Sequence, residues 1–283
     1  MKVIKSQSEL REELAKSRES GKSVGFVPTM GGLHAGHMSL VERSMKENDL
    51  TVVSVFLNPT QFNDPSDLET YPHDTEEDIR LLESASVQIL FLPSVEEMYP
   101  EGEEAPQYDL GRVAEVMEGE HRPGHFRGVV WIVSKLFRLV EPTRAYFGMK
   151  DFQQIAVVKR MVELSPDMNV EIVPCDVVRE ADGLAMSSRN NRLTPAQRQV
   201  APRIYRALNH GQQLMKGGDT VSAVKTRVTQ EINSSAPLRV EYFSIVDGDT
   251  LEEVTEWGDN TVGCITVFCG DVRLIDHITF NKP

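Results

Sequence analysis

The stretch Pro28-Thr-Met-Gly-Gly-Leu-His-Ala-Gly-His37 decides how this chain reads. Just before it, Val24-Gly-Phe-Val27 is short and apolar, as a buried strand is. Just after it, from about Ala35 to Lys46, the apolar residues fall at helical spacing. Gly31 and Gly32 therefore make a strand-to-helix turn in which the backbone can come close to a ligand. The N-terminus of the helix offers unpaired N–H groups and a partial positive charge, at the sheet edge where open parallel sheets bind ligands. His34 and His37 are three apart, so both lie on one face of the first turn and both can donate to phosphate oxygens. A plain helix entry accounts for either histidine alone. It accounts poorly for H-x-G-H placed after a strand and a Gly-Gly turn.

Outward from this turn, strands and helices alternate. Ser6-Gln-Ser-Glu9 reads as a capping box opening a helix that ends near Gly21. Strands follow at Thr51–Leu57, Gln88–Leu92, Ala145–Phe147 and Val170–Val173. Helical patterns lie between them at Thr75–Glu83, Val129–Val140 and Phe152–Leu164, with a short one near Val113–Met117. This alternation predicts a Rossmann-like parallel sheet covered on both faces. Beyond about Val178 the pattern changes to two helices, Pro195–Met215 and Thr220–Asn233, then three strands near 239–246, 262–269 and 272–279. The expected organisation is an α/β domain over 1–177 and a smaller α+β domain over 178–283.

Composition narrows the function classes. Of 283 residues, 40% are hydrophobic and 26% charged, as in globular proteins that build a substantial core. The net charge of −13 repels phosphate backbones, so no nucleic-acid partner is expected. No apolar run is long enough to span a bilayer and the N-terminus is too polar for a signal peptide, so no membrane is expected and the cytoplasm is the default. The three cysteines, Cys175, Cys264 and Cys269, form no C-x-x-C pair and suggest neither a disulfide framework nor a zinc site.

Other segments add chemistry. Met186-Ser-Ser-Arg-Asn190 places two hydroxyls and a guanidinium on a loop, suited to a polyphosphate. Phe147-Gly-Met-Lys-Asp-Phe-Gln-Gln154 follows a strand. Its Lys150 can meet phosphates, Asp151 can cap the next helix, and Gln153 and Gln154 are amide donors. Asn58-Pro-Thr-Gln-Phe62 offers the neutral amides of Asn58 and Gln61 to a hydroxy acid. Arg122-Pro-Gly-His-Phe-Arg-Gly128 reads as a basic loop for an anion. Thr75-Glu-Glu-Asp78 reads as a helix start whose acids complement the dipole.

H-x-G-H in this setting resembles the signature of class I aminoacyl-tRNA synthetases and related nucleotidyltransferases. Taken in order, VPTMGGLHAGH, NPTQF, RPGHFRGV, SKLF, FGMKDFQQ, DGLAMSSRN and LIDH, from Val27 to His277, resemble the pantothenate synthetase family. The resemblance implies ATP-driven condensation of pantoate with β-alanine, a Rossmann-like domain with a small C-terminal lid, and a homodimer. It also implies Mg²⁺ near the acidic helix and the phosphates, with Glu77 or Asp78 at the matching position and no ligand set assigned. The ATP site it implies comprises Met30, Gly31, Gly32, Leu33, His34, Ala35, Gly36 and His37, then Gly148, Met149, Lys150 and Asp151, then Val178, Met186, Ser187, Ser188 and Arg189. Gln61, Gln154 and Asn58 are the expected substrate contacts, and His37, His34 and Lys150 the expected catalytic set. His37 stands where the family's proton donor is assigned. Met149 replaces the family's common glutamate, and His73 the arginine of its Tyr-Pro-Arg. An adenylyltransferase of the same superfamily that acts on a phosphate acceptor stays open as the alternative, although it leaves NPTQF and FGMKDFQQ unexplained.

Overall fold

The computed structural model describes residues 1–280. Lys2–Ile4 (β1) opens the chain as a strand, which its three residues were too few to announce. Ser6 then caps Gln7–Glu19 (α1), its hydroxyl accepting the Glu9 N–H, while the Glu9 carboxylate turns to Lys2 at 3.3 Å. Val24–Thr29 (β2), Ala35–Glu47 (α2) and Leu50–Val55 (β3) follow as the sequence predicts. Pro65–Glu69 (α3) and Thr75–Ser84 (α4) lead to Ile89–Phe91 (β4) and the short Val95–Met98 (α5). Glu118–His121 (α6) precedes His125–Val140 (α7), and Arg144–Gly148 (β5), Phe152–Glu163 (α8) and Glu171–Cys175 (β6) complete this part.

The sheet is six-stranded and parallel, in the order β1-β4-β3-β2-β5-β6. From β2 the chain winds outward through β3 and β4 on one side, then returns to lay β5 and β6 on the other. The order therefore reverses between β2 and β5, the place where such sheets bind ligands. Successive side chains on a strand face opposite ways. Phe26, Val52, Phe91 and Phe147 pack in one core cluster with Leu10 and Leu14 of α1, Val133 of α7 and Val158 of α8. Their neighbours Val27, Val53, Leu90 and Tyr146 pack in another with Val41 of α2 and Leu82 of α4.

Two expectations for this part change. The expected loop Arg122–Gly128 is helical from His125, so α7 starts four residues before Val129. Gly124, at φ 83°, supplies the turn that enters it, and the buried Phe126 continues the apolar face of α7. The short helix near 113–117 is a 3-10 turn, Gly111–Ala114, and the chain then turns at Met117 with φ 49°.

The described chain divides into two compact units. The first comprises Met1–Ala114, Glu118–Met149 and Gln153–Asp176. The second takes in Glu115–Met117, Lys150–Phe152 and the chain from Val177. In the second unit, Pro195–Val200 (α9), Arg203–Lys216 (α10) and Val221–Asn233 (α11) precede Leu238–Asp247 (β7), Thr261–Cys269 (β8) and Val272–Thr279 (β9). These strands make an antiparallel sheet in the order β7-β8-β9. Ala207, Leu208, Val224 and Val228 of the helices pack against Phe243, Ile245, Ile265 and Val267 of the sheet. The single helix expected over Pro195–Met215 is two, interrupted at Ala201-Pro202, because a proline inside a helix lacks the N–H that would continue it. Cys175, Cys264 and Cys269 are all buried and outside any disulfide.

Candidate functional site

In the first unit, Thr29 ends β2 and the chain turns sharply. Gly31 and Gly32 both take positive φ, 88° and 63°. A side chain at Gly31 would be strained and would crowd Asp78 Oδ2 at 3.0 Å. Asp78 is the anchor of this turn. It lies in the first turn of α4, is 2% exposed, and accepts the Gly32 N–H at 3.0 Å and the Leu33 N–H at 2.7 Å. Burial pushes its carboxyl pKa up, and the two amides pull it back. Both of its oxygens are thus engaged within the fold, and Glu77, the other acid considered for magnesium, is half-buried and paired with Arg80 at 2.7 Å.

His34 caps α2. Its Nδ1 accepts the Gly36 N–H at 3.1 Å, and the Nδ1 of His37 accepts the His34 N–H at 3.3 Å, a reciprocal capping box made of two histidines. The ring centroids are 4.1 Å apart. With each Nδ1 accepting, each neutral ring carries its hydrogen on Nε2. The half-buried pair therefore presents two N–H donors beside the first turn of α2, where Ala35 and Gly36 leave the backbone lightly covered. Donors, helix dipole and the absence of acidic residues from that turn all favour an anion.

Asn58 caps a 3-10 turn, Pro59–Gln61, after β3, and Gln61 is its last residue. Asn58 is 1% exposed, and its amide is fully engaged. The oxygen accepts from Tyr99 Oη at 2.7 Å and Thr60 Oγ1 at 2.9 Å, while Nδ2 donates to Gln61 Oε1 at 2.9 Å and to the Gly128 carbonyl at 3.3 Å. These bonds hold the loop that carries Asn58 and Gln61, the residues expected at the substrate. Gln61 Nε2 lies 3.1 Å from Met30 Sδ, which joins the NPTQF loop to the glycine turn. His125 Nε2 faces Arg122 at 3.1 Å and can only accept from that guanidinium, so its Nδ1–H donates to the Gln61 carbonyl at 2.8 Å. Arg122 also lies 3.5 Å from Glu118, which partly neutralises the basic segment expected to hold an anion.

Gly148 ends β5, the strand on the other side of the switch point, and Met149 follows it. Gln153 is buried: it donates to the Val113 carbonyl and accepts the Glu118 N–H, so it holds the 113–118 segment. Gln154 is half-buried, without a side-chain hydrogen bond among the described residues.

In the second unit, the Lys150 ammonium lies 3.4 Å from Asp151 Oδ2, so Asp151 pairs with the lysine where a helix cap was expected. Val178 and Met186 meet in a tight hairpin: the Met186 N–H donates to the Val178 carbonyl, and Arg179 bridges to Ala185. Ser187 caps the 3-10 turn Ser188–Arg192 by accepting the Arg189 N–H, and Ser188 is buried. The hairpin is clamped to β9 by Arg179, whose guanidinium makes two bonds to the buried Asp276, at 2.6 and 2.9 Å, and stacks on Tyr205 at 3.6 Å. His277, 6% exposed, packs on Phe152 at 5.4 Å. Tyr99 and Arg179 lie in none of the motif segments, and the segments that contain His125 and Asp276 gave neither residue a part in this framework. Only their acceptors and apolar neighbours in the fold identify them.

A doubly wound sheet with a histidine-capped helix N-terminus at its switch point defines an α/β enzyme of the nucleotide-binding class. The chain matches the family described as pantoate-beta-alanine ligase over residues 2–279. It is 52% identical over 283 residues to a pantothenate synthetase of Porphyromonas gingivalis, covering 99% of this chain and 100% of that protein. A pantothenate synthetase of Bacteroides thetaiotaomicron is also 52% identical, over 289 residues and 100% of both chains. The crystal structure of the Thermus thermophilus pantothenate synthetase superposes with a TM-score of 0.94 at 42% identity, covering 100% of both chains. That of a Francisella tularensis pantoate-beta-alanine ligase, complexed with beta-gamma ATP and beta-alanine, gives 0.82 at 30% identity, covering 100% of this chain and 99% of that one. The chain belongs to the pantoate–β-alanine ligase family.

Proposed function

We infer that this protein condenses pantoate with β-alanine, consuming ATP and releasing AMP and pyrophosphate, through a pantoyl-adenylate. The observation that carries the reading is the α2 N-terminus, capped by His34 and His37 at the reversal point of the sheet, in a chain of this family. The relatives support a ligase over an adenylyltransferase acting on a phosphate acceptor.

In the first step a carboxylate oxygen of pantoate attacks the α-phosphorus of ATP, and the bond to the bridging oxygen of pyrophosphate breaks. Negative charge grows on the departing pyrophosphate. The α2 amides, the Nε2–H groups of His34 and His37, the Lys150 ammonium, the Ser187 and Ser188 hydroxyls and the Arg189 guanidinium stabilise it. His37 acts as such a donor, a role its fixed tautomer supports. Met30–Gly36, Gly148–Asp151, Val178 and Met186 line the ATP site, and Gln61 and Gln154 contact pantoate. Among the described residues no group of three His, Cys, Asp or Glu side chains is placed to hold a metal. Magnesium would enter with the nucleotide and neutralise charge on its phosphates. In the second step the neutral amine of β-alanine attacks the acyl carbon, the acyl–phosphate bond breaks, and AMP leaves.

In this reading residues 1–177 bind nucleotide and pantoate, and residues 178–283 supply the Ser187–Arg189 loop. The protein works as a homodimer in the cytoplasm. No helix among the described residues is long and apolar enough to cross a membrane.

Isotope exchange between pyrophosphate and ATP tests the scheme. It should require pantoate and not β-alanine, whereas pantothenate formation should require both. Exchange that needs the amine would remove the adenylate. His37→Ala and Lys150→Ala should each slow exchange by about 10²-fold, the scale of losing one transition-state donor.

A further inference from the structure

We propose that Tyr99 is a positioning residue for this reaction: with the Thr60 N–H and the Gly128 carbonyl it holds the Asn58 amide, which sets which end of the Gln61 amide faces pantoate. Tyr99 closes α5 and belongs to none of the motif segments. Its hydroxyl lies 2.7 Å from Asn58 Oδ1 and 3.3 Å from Thr60 Oγ1. Burial pushes its pKa up to about 12, so it keeps its proton for donation at any working pH. The ring is held in place by Trp131, with centroids 4.6 Å apart, by Phe56 at 6.0 Å, and by the Lys135 ammonium 5.5 Å from its centre.

The chain of consequences follows from donor and acceptor types. Gly128 O can only accept, so the nitrogen of Asn58 must face it and the oxygen must face Tyr99. The second hydrogen of that nitrogen then goes to Gln61, which must answer with its oxygen. Gln61 is left with Nε2 beside Met30 at the glycine turn. A donor amide there complements the oxygens of a hydroxy acid, and a flipped amide would set oxygen against carboxylate. The Tyr99 hydroxyl is a donor in this relay that a single substitution removes without altering the loop's own residues.

The proposal rests on Gln61 contacting pantoate, and the test separates the two ideas. Steady-state kinetics with pantoate varied would compare Tyr99→Phe, Gln61→Ala and the double variant. Tyr99→Phe should raise the pantoate KM about fivefold to tenfold, the scale of one buried hydrogen bond, with kcat and the ATP KM within about twofold of the parent. In the Gln61→Ala background Tyr99→Phe should add nothing. An unchanged pantoate KM in Tyr99→Phe would overturn the proposal. So would the same increase in both backgrounds, or an equal loss in every kinetic constant together with a lower melting temperature, which would mark a merely structural role. If Gln61→Ala itself leaves the pantoate KM unchanged, the reading of Gln61 fails first and the relay with it.

Discussion

Asp78 Oδ1 lies 2.7 Å from the Leu33 amide, and Oδ2 lies 3.0 Å from that of Gly32, so a carboxylate on α4 fixes the glycine turn 45 residues upstream. The glycines make the turn possible, and Asp78 makes it one conformation. Asp78→Asn keeps the shape, but its NH₂ would confront an N–H donor. The loss should be about 1–3 kcal/mol, the cost of one buried amide left without its acceptor. Denaturant unfolding reads this directly. Pyrophosphate exchange should fall with it, because the α2 entry loses its support.

His34→Asn separates cap from chemistry. Asparagine is among the best N-capping residues, so stability should change by no more than about 0.5 kcal/mol. The imidazole Nε2–H is lost, and exchange should fall by about 10²-fold. A variant that melts early would show that His34 matters chiefly for the helix.

Gly128→Ala tests the approach of α7 to the NPTQF loop. A methyl group at Gly128 would overlap the Thr60 carbonyl and the Gln61 Cα. Backbone cannot swing away as a flexible side chain can, so the expected destabilisation is about 1–3 kcal/mol, and the pantoate KM should rise as the loop shifts. Thermal melts and pantoate titrations would report the two effects.

His277 predicts an acid limb of stability. Burial pushes its pKa below the ordinary histidine value, partly offset by Asp276. Above pH about 6.5 the ring is neutral in both folded and unfolded chains. Below it the unfolded chain takes up a proton that the buried ring resists, so stability falls as the pH drops. His277→Asn should therefore narrow the difference in melting temperature between pH 7.5 and pH 5. An unchanged gap would mean that other groups set the acid limb.

Much of the site was legible because it is local. H-x-G-H after Gly-Gly lies within ten residues of chain, and its geometry follows from a strand, a turn and a helix start. The Arg122–Gly128 segment misled for the same reason. Its proline, glycines and charges look like a loop, yet the core takes in His125 and Phe126 as the first turn of α7. Asn58 was legible as a candidate, but nothing local says that Tyr99 and Gly128 will bond its amide.

The sequence by itself determined the fold class, through its strand and helix periodicities, and the family, through motifs that survive as contiguous strings. Each depends on residues near one another in the chain. Tertiary structure decided which atoms remain for a ligand. The Asp78 carboxylate, the Asn58 amide and the Arg179 guanidinium are all chemically fit for substrate, but partners distant in sequence engage them. The His34 and His37 tautomers were likewise settled only by the amides that meet their Nδ1 atoms. A hydrogen-bonding group can serve substrate only with the capacity that the fold leaves over, and that remainder is a property of the packed chain.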